Sequence, residues 1–283
     1  MTREQGRILS GMTDNAERLR ALHRTPPIFV IPNAWDAASA RLFQAEGFPA
    51  IATTSAGVAA ALGYPDGGLV PAREMIEAVA RIARTVTVPV SADFEHAYAE
   101  TPDAVADNVL RVIAAGAVGI NLEDYVPGAA DLEPLTLQLD KIHAIVKASA
   151  KAGVRVVINA RTDVFLRALG PPEARLGVAI ERGKAFLAAG ADCVFVPGIR
   201  DRETIAAIVS GIGGPVNILA VDGTPPVAEL EALGVARVSV GSGPMRATMA
   251  LVREVAHELK TSGTYAAFTA KAMAFADVNE LMK

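Results

Sequence analysis

Carboxylates follow a predicted buried strand in the segment VPVSADFEHAYAE, residues 88–100. Asp93 and Glu95 are two positions apart, so in a strand they would lie on the same face. Two carboxylates on a buried face are costly unless positive charge compensates them. The segment therefore predicts either an exposed edge or a site that holds a cation.

Two further predicted strands carry polar residues on one face in the same way. These residues are Asn121, Glu123 and Tyr125 in one strand, and Asn159, Arg161 and Asp163 in the next. The acids Asp93, Glu95, Glu123 and Asp163, gathered beside a single arginine, would repel one another without a bound cation. Oxygen ligands without His or Cys suit Mg²⁺ or Mn²⁺. The alternative is that some acids form structural ion pairs with Arg161 and with helix N-termini.

The elements that position these residues alternate between short β-rich runs and Ala-rich amphipathic helices, which predicts a parallel sheet. Eight runs are predicted as strands: 27–33, 50–55, 88–95, 118–125, 156–163, 193–198, 215–221 and 238–242. We predict a (β/α)₈ TIM barrel, with an open doubly wound sheet as the alternative. The barrel is favoured because no G-x-G-x-x-G turn follows the first strand. Barrels build active sites at the C-terminal ends of their strands, where the polar residues lie.

The chain is predicted to form one domain over residues 1–283, with a barrel core at 26–243. An extra N-terminal helix is predicted at 10–24, and a helical extension at 244–283. The extension is predicted to pack on another subunit, in a homo-oligomer, or to cap the barrel of its own chain.

Composition limits the possible partners. The chain is 51% hydrophobic with a net charge of −4, which is typical of a globular protein without a basic surface for nucleic acid or anionic membranes. Neither uncharged stretch, 47–65 nor 204–221, is a sustained apolar segment of ~20 residues. Cys193 is the only cysteine, which excludes an intrachain disulfide and fits the cytoplasm. We therefore expect a cytoplasmic protein that binds a small molecule.

Further candidates for substrate binding lie outside these strands. The segment TTSAGVAAALGYPDGG, residues 53–68, places Thr54, Ser55 and Ala56 before a helix, where backbone amides bind anions. The alternative is a tight turn with a closely packed helix. Asn217 is a pocket candidate in strand 215–221, with a structural amide as the alternative.

Five segments in this order resemble the isocitrate lyase/phosphoenolpyruvate mutase family over nearly the whole chain. They are IPNAWDAASARLFQAEGF, TTSAGVAAALGYPD, SADFEHAY, INLED and INARTD. The resemblance implies a Mg²⁺-dependent barrel, usually a homotetramer that exchanges its C-terminal helix. It also implies a 2-oxo or 2-hydroxy acid substrate, in which a C–C or C–P bond next to an enolate is broken or formed.

The resemblance also implies roles for individual residues. Asp93 is the direct metal ligand, and Glu95 and Glu123 hold the ion through water. Asp66 touches the metal shell or the substrate, and Arg161 pairs with the substrate. Thr54, Ser55 and the Ala56 backbone form the carboxylate cradle.

The chain departs from the family after the fourth predicted strand. Isocitrate lyases carry K-[KR]-C-G-H there, whereas this chain has EDYVPGAADLEPL, which lacks Cys, Lys and His. The loop Lys and Asn of the mutase are absent as well, and the usual G-Y-G is A-Y-A at Ala97, Tyr98 and Ala99. These differences argue against isocitrate cleavage by the usual route.

The predicted function is a lyase that breaks a C–C bond of a small 2-oxo or 2-hydroxy (di)carboxylic acid through a metal-stabilised enolate. Decarboxylation needs no proton donor, whereas aldol cleavage needs a base, for which Tyr125, Tyr64 and His96 are candidates. His96 is equally well interpreted as a surface or supporting residue. Alternatives are C–P chemistry of the phosphonopyruvate hydrolase or mutase type, a non-catalytic binder, and a phosphate-binding barrel suggested by SVGSGPMR.

Overall fold

A computed structural model describes residues 3–24 and 26–283, with side chains from residue 9 onward. It contains nine short parallel strands in one sheet of order β1-β9-β8-β7-β6-β5-β4-β3-β2. Their bounds are β1 Phe29–Ile31, β2 Asn33–Ala34, β3 Ile51–Thr53, β4 Val90–Asp93, β5 Gly119–Glu123, β6 Val157–Arg161, β7 Cys193–Phe195, β8 Val216–Leu219 and β9 Arg237–Ser239.

The predicted strand 27–33 is split into β1 and β2, and this split closes the barrel. β1 pairs with β9, and β2 pairs with β3. One chain segment therefore completes the ring at both sides, and the predicted (β/α)₈ barrel is confirmed.

Helices join the parallel strands, since a parallel pair needs a long crossover. Their bounds are α1 Arg3–Leu22, α2 Ala37–Ala45, α3 Ser55–Leu62, α4 Ala72–Ala83, α5 Pro102–Ala114, α6 Leu135–Lys151, α7 Pro172–Ala188, α8 Arg202–Ile212, α9 Val227–Ala232, α10 Gly243–Thr261, α11 Ala266–Thr269 and α12 Phe275–Leu281. Within the described residues, no helix combines the length and the apolar character that crossing a membrane requires.

Helix α1 covers the N-terminal end of the barrel. A Cβ atom on Gly119 would lie 2.7 Å from Cδ2 of Leu19, so only glycine allows this close approach. His23, after the end of α1, places Nε2 3.3 Å from Nη1 of the buried Arg237. The opposite end of the barrel therefore remains for the site.

The predicted strand 88–95 is too long, because β4 ends at Asp93. Glu95, Ala97 and Tyr98 have φ values of 49°, 62° and 54°. Left-handed backbone is unfavourable for residues other than glycine and ends a strand. Glu95 therefore lies on a turn beyond the strand and does not share a strand face with Asp93.

Candidate active site

A cavity of about 160 Å³ lies at the C-terminal ends of the strands. It brings together six of the predicted site residues, from three strand ends, the start of α3 and one adjoining loop: Thr54, Ser55, Ala56, Asp66, Asp93 and Arg161. This is the end at which α/β barrels bind their substrates. The convergence predicted from the polar strand ends is therefore present.

Asp93, the last residue of β4, has a carboxylate that is oriented from two sides. Oδ2 accepts hydrogen bonds from the backbone amide and from Oγ of Ser55, both at 2.8 Å. Oδ1 accepts a hydrogen bond from Nδ2 of Asn121 at 3.1 Å. A carboxylate held in this way keeps lone pairs directed at the cavity.

The cradle residues form the start of α3. Thr54 is the N-cap of this helix, and its Oγ1 accepts a hydrogen bond from the amide of Gly57 at 3.4 Å. A Cβ on Gly57 would lie 2.6 Å from Cγ2 of Thr54 and 2.8 Å from Cβ of Trp35, so glycine is needed here. The helix N-terminus, with Ala56 on the cavity wall, favours a negatively charged group.

Arg161, at the end of β6, is held by two carboxylates. Nη1 donates to Oε1 of Glu123 at 2.6 Å, while Nε and Nη2 donate to Asp163 at 2.6 and 3.0 Å. Burial acts to lower the pKa of Arg161, but Glu123 and Asp163 outweigh it and raise the pKa. A guanidinium has five N–H groups, so two remain for a substrate carboxylate.

The other acids gather around Asp93 with little positive charge. Burial raises the pKa of Glu123 well above its ordinary value, against the opposing effect of Arg161. Burial first and the charge of Asp93 second raise the pKa of Asp66. Burial also raises the pKa of Glu95, whose Oε1 accepts a hydrogen bond from the amide of Gly68 at 2.9 Å. The raised pKa values favour the protonated acids, and a divalent cation beside them would favour the ionised forms.

The donor set fits Mg²⁺ bound largely through water. In residues 3–24 and 26–283, no three His, Cys, Asp or Glu side chains are grouped closely enough to form a metal shell by themselves. Mg²⁺ commonly takes one or two carboxylates and keeps several waters. Asp93 lines the cavity, whereas Glu95 and Glu123 lie behind its lining, and all three offer oxygen.

Four predicted substrate-binding residues do not line the cavity. Asn159 is buried below the site, and its Nδ2 donates to Oδ1 of Asn121 at 2.7 Å. Asn217 is bonded to Ser239 Oγ at 3.1 Å, as the structural alternative predicted. Asn159 lies two positions before Arg161 and Asn217 two positions before Leu219, and in both strands it is the later residue that lines the cavity.

Tyr125 and His96 are the other two of these residues. The Tyr125 hydroxyl donates to the carbonyl oxygen of Ala129 at 3.0 Å, because the chain leaves the strand after Glu123. The His96 ring lies 5.5 Å from the Tyr98 ring, and its Nδ1 is buried without a hydrogen-bond partner among the described residues. Burial, and next the charge of Lys141, lower the pKa of His96.

Sequence reasoning missed much of the cavity wall. Phe195 and Leu219 face the cavity at the ends of β7 and β8, and strand alternation was the signal that could have found them. Leu166 and Pro197 come from loops, where no periodic pattern points to a cavity. Asn121 was recognised as polar but was not assigned a role.

The segment after β5, residues 124–133, is anchored at both ends by buried ion pairs. Nε of Arg182 lies 2.6 Å from Oδ2 of Asp124, and Nζ of Lys141 lies 2.6 Å from Oε1 of Glu133. Asp124 Oδ1 also accepts the amide of Asp163 at 3.0 Å. The segment that departs from the lyase pattern is therefore anchored next to Arg161.

Comparison with known proteins decides the family. A family model described as phosphoenolpyruvate phosphomutase matches residues 19–260. The chain belongs to the phosphoenolpyruvate mutase/isocitrate lyase family. Within this family, the chain is 41% identical over 227 residues to a Mycobacterium tuberculosis protein without an assigned activity, covering 80% of this chain and 82% of the relative.

Two relatives carry named activities. The oxaloacetate decarboxylase of Paraburkholderia xenovorans is 32% identical, with 76% of this chain and 72% of the relative covered. The 2,3-dimethylmalate lyase of Eubacterium barkeri is 30% identical, with 95% and 94% covered. The prediction of an enzyme of this lyase type is confirmed by these family members.

Solved structures of the family superpose closely on the chain. A putative lyase/mutase from Burkholderia cenocepacia has a TM-score of 0.88 at 36% identity, covering 96% of both chains. An oxaloacetate acetylhydrolase in complex with oxalate has a TM-score of 0.84 at 27% identity, covering 96% of this chain and 94% of its own. A phosphonopyruvate hydrolase in complex with oxalate and Mg²⁺ has a TM-score of 0.83 at 26% identity, covering 94% of both.

Proposed function

We propose that this protein is a Mg²⁺-dependent carbon–carbon lyase for a small 2-oxo or 2-hydroxy acid, acting through an enolate. The observation that carries the proposal is the carboxylate of Asp93. It faces a small cavity, is oriented by Ser55 and Asn121, and lies among buried acids that need a cation. Mn²⁺ is an acceptable substitute because the ligands are all oxygen atoms.

The chain's own residues would bind and orient the substrate. The two N–H groups left on Arg161 suit a carboxylate, and the N-terminus of α3 at Ser55 and Ala56 stabilises negative charge. Mg²⁺, when bound, would draw electron density from the substrate carboxylate and its neighbouring oxygen as the bond breaks. Asp66, whose pKa burial raises, is placed on the cavity wall to hold a proton.

Relatives support this chemistry by their printed activities. They include oxaloacetate decarboxylases and a 2,3-dimethylmalate lyase, and a family structure contains the product oxalate. The absence of the K-[KR]-C-G-H segment argues against isocitrate as the substrate. The proposed partner is therefore a small carboxylate other than isocitrate.

C–P bond chemistry is the second candidate. The structural likeness to a phosphonopyruvate hydrolase with bound oxalate and Mg²⁺ favours it. The missing loop Lys and Asn count against a mutase reaction. A protein that binds a 2-oxo acid and metal without turnover is the third candidate.

The test is a panel of oxaloacetate, malate, methylisocitrate, isocitrate and phosphonopyruvate, with and without Mg²⁺, read by release of pyruvate, glyoxylate or phosphate. We expect metal-dependent cleavage of a C–C bond and its loss in Asp93→Ala. Asp107→Asn, an exposed change on α5, is the matched control. Turnover without a divalent metal, or an active Asp93→Ala variant, would contradict the mechanism. Phosphate release alone would favour C–P chemistry.

A further inference from the structure

The cavity has two chemically different walls. The side that holds Asp93, Ser55 and Arg161 is polar and charged. The other side presents four apolar side chains: Leu166, Phe195, Pro197 and Leu219. The polar side chains of Asn33, Ser239 and Ser242 also line the cavity, and Ser239 pairs with Leu219 in the sheet. A substrate that fills the cavity therefore meets charge on one side, and hydrocarbon with a few neutral polar groups on the other.

Arg161 supplies the positive charge of the lining and borders the apolar side, because its guanidinium carbon lies 5.6 Å from the centroid of the Phe195 ring. Among the described residues that line the cavity, Arg161 is the one cationic side chain. It already neutralises Glu123 and Asp163. Arg167 lies nearby but outside the lining, with its guanidinium 4.9 Å from the Tyr125 ring and 3.8 Å from Asp163. With Arg161 assigned to the first carboxylate, a second substrate carboxylate at the apolar wall would have no further lining cation to pair with.

Polar groups next to the apolar wall are already engaged. Oδ1 of Asn33 accepts hydrogen bonds from the amides of Val240 and Gly241, both at 2.9 Å, and its Nδ2 donates to the carbonyl of Thr53 at 2.8 Å. Helix α10 begins here, but the amide of Gly243 donates to the carbonyl of Val240 and Pro244 has no N–H. Ser239 is bonded to Asn217, which leaves the hydroxyl of Ser242, a side chain without a capping hydrogen bond. One neutral hydroxyl compensates a buried carboxylate poorly.

Leu166 is held over the cavity by a close backbone contact. Gly198 has a φ of +95°, and a Cβ there would lie 2.8 Å from the amide nitrogen of Leu166 and 2.9 Å from its Cα. The loop after β6 therefore packs directly on the loop after β7. This contact makes Leu166 a built part of the wall, although its side chain is 43% exposed.

We infer that the site is selective for 2-oxo or 2-hydroxy acids whose end remote from the metal is a branched alkyl group instead of a second carboxylate. This inference rests on the proposed function, because it assigns the metal and Arg161 to the first carboxylate. The alkyl group packs on Leu166, Phe195 and Leu219, and its removal from water contributes to affinity.

This substrate class selects among the cleavage reactions. Decarboxylation next to a ketone requires a second carboxylate, whereas aldol-type cleavage does not. In that cleavage, the C4 hydroxyl of a 4-hydroxy-2-oxo acid gives its proton to a base, and the C3–C4 electron pair moves into the enolate. The enolate then takes a proton at C3, which yields a 2-oxo acid and a neutral aldehyde or ketone without net oxidation.

The test compares two near-isosteric acids with the full-length protein in Mg²⁺. Malate ends in a carboxylate, and 2-hydroxy-4-methylpentanoate carries an isopropyl group in its place. Dissociation constants are measured by calorimetry, and oxalate is titrated separately to probe the metal site alone. We expect the alkyl acid to bind at least about tenfold more tightly than malate.

A positive charge placed on the apolar wall tests whether this wall causes the preference for the alkyl acid over malate. Leu166→Lys should lower the preference for the alkyl acid by about tenfold or reverse it, because the added ammonium pairs with the malate carboxylate. Val227→Lys adds the same charge at a site of similar exposure, 41%, outside the cavity, and should leave the preference unchanged.

Each outcome decides the inference. Equal or tighter binding of malate, or a Leu166→Lys variant with an unchanged preference, overturns it. Oxalate binding without binding of either test acid overturns it and leaves the proposed function standing. Failure of oxalate itself to bind with Mg²⁺ rejects the proposed metal site, and this inference with it.

Discussion

Asn121 connects the barrel interior to the carboxylate that is central to the site. It donates to Asp93 Oδ1 at 3.1 Å and accepts from Asn159 Nδ2 at 2.7 Å. Both amides are buried, so neither side chain can exchange these bonds for water without disturbing the strands. The orientation of Asp93 therefore depends on Asn121, which lines the cavity, and through it on Asn159, which does not.

Asn121→Ala should weaken binding of oxalate with Mg²⁺ roughly fivefold, because Asp93 loses one of the groups that orient it. Asn217→Ala is the matched control, since Asn217 is an equally buried amide that bonds to Ser239 instead. Both changes should lower stability by ~1–3 kcal/mol in urea unfolding, but the control should bind oxalate normally. Equal losses of binding in the two variants would contradict a specific role for Asn121.

His23, at the N-terminal end of the barrel, makes the stability of the fold sensitive to acid. Burial, and next the charge of Arg237, lower its pKa to about 3, and Nδ1 lies 2.8 Å from the carbonyl oxygen of Leu19. Because the folded pKa lies below the unfolded value of 6.5, the unfolded chain binds the proton more tightly. Stability from this group is therefore present above pH 6.5 and is lost as the pH falls toward 3.

His23→Gln should remove about 2 kcal/mol of the stability difference between about pH 7 and about pH 5. Urea unfolding of the wild type and the variant at both pH values measures the difference. His143→Gln, on the exposed face of α6, should retain the wild-type pH dependence. A His23→Gln variant with the wild-type slope would show that the fold does not lower the pKa of His23.

At the scale of elements, loops with left-handed backbone shape the site. The turn after β4 contains Glu95, Ala97 and Tyr98 in this conformation. Such backbone costs ~1–2 kcal/mol for each residue with a Cβ, so the surrounding packing must hold it. The replacement of the family's first glycine by Ala97 is therefore accommodated without moving the turn out of the left-handed region.

Gly198→Ala should cost more stability than its backbone conformation alone explains, because the added methyl would contact the backbone of Leu166. Gly213→Ala is the matched control, since Gly213 has a φ of +72° with open space around it. The control should lose ~1–2 kcal/mol in chemical unfolding, and Gly198→Ala distinctly more. Gly198→Ala should also weaken binding of the alkyl acid, whereas equal behaviour of the two variants would reject a wall built by this contact.

At the scale of the whole molecule, the C-terminal extension is unlike the barrel. Most of the exposed large apolar side chains of the described residues lie on α10, α11, α12 and the segments between them: Met249, Val252, Leu259, Tyr265, Phe268, Met273, Phe275, Val278 and Met282. Exposed apolar side chains in this number on one extension are typical of a surface that another subunit covers. The predicted homo-oligomer, a tetramer or a dimer, would cover it.

Phe275→Asp should lower the oligomeric state or weaken assembly, because Phe275 is 85% exposed and a buried carboxylate at an interface is costly. Light scattering coupled to size exclusion measures the mass of both proteins. Val227→Asp, an exposed change outside the extension, should leave assembly unchanged. A monomeric wild type at micromolar concentration would contradict the prediction.

The amino-acid sequence by itself determined the barrel and most of the charged site. Strand alternation is a local property with a period of two, so the inward positions of Asp93, Asn159 and Arg161 followed from the strands alone. The parallel βα order then placed the strand ends at one mouth. The resemblance to the family assigned binding roles to Asp66 and to the cradle at Thr54, Ser55 and Ala56. All four residues line the same cavity.

Only the tertiary structure decided which polar residues reach the cavity. Asn159 and Asn217 do not line the cavity, although Asn121, the sheet neighbour of Asn159, does. His96 follows the left-handed turn at Glu95 and also lies outside the lining. The apolar wall depends on Gly198 meeting Leu166, a contact between loops more than thirty residues apart in the chain. Local patterns hold no information on such contacts, because they arise from the stagger of the strands and from the packing of separate loops.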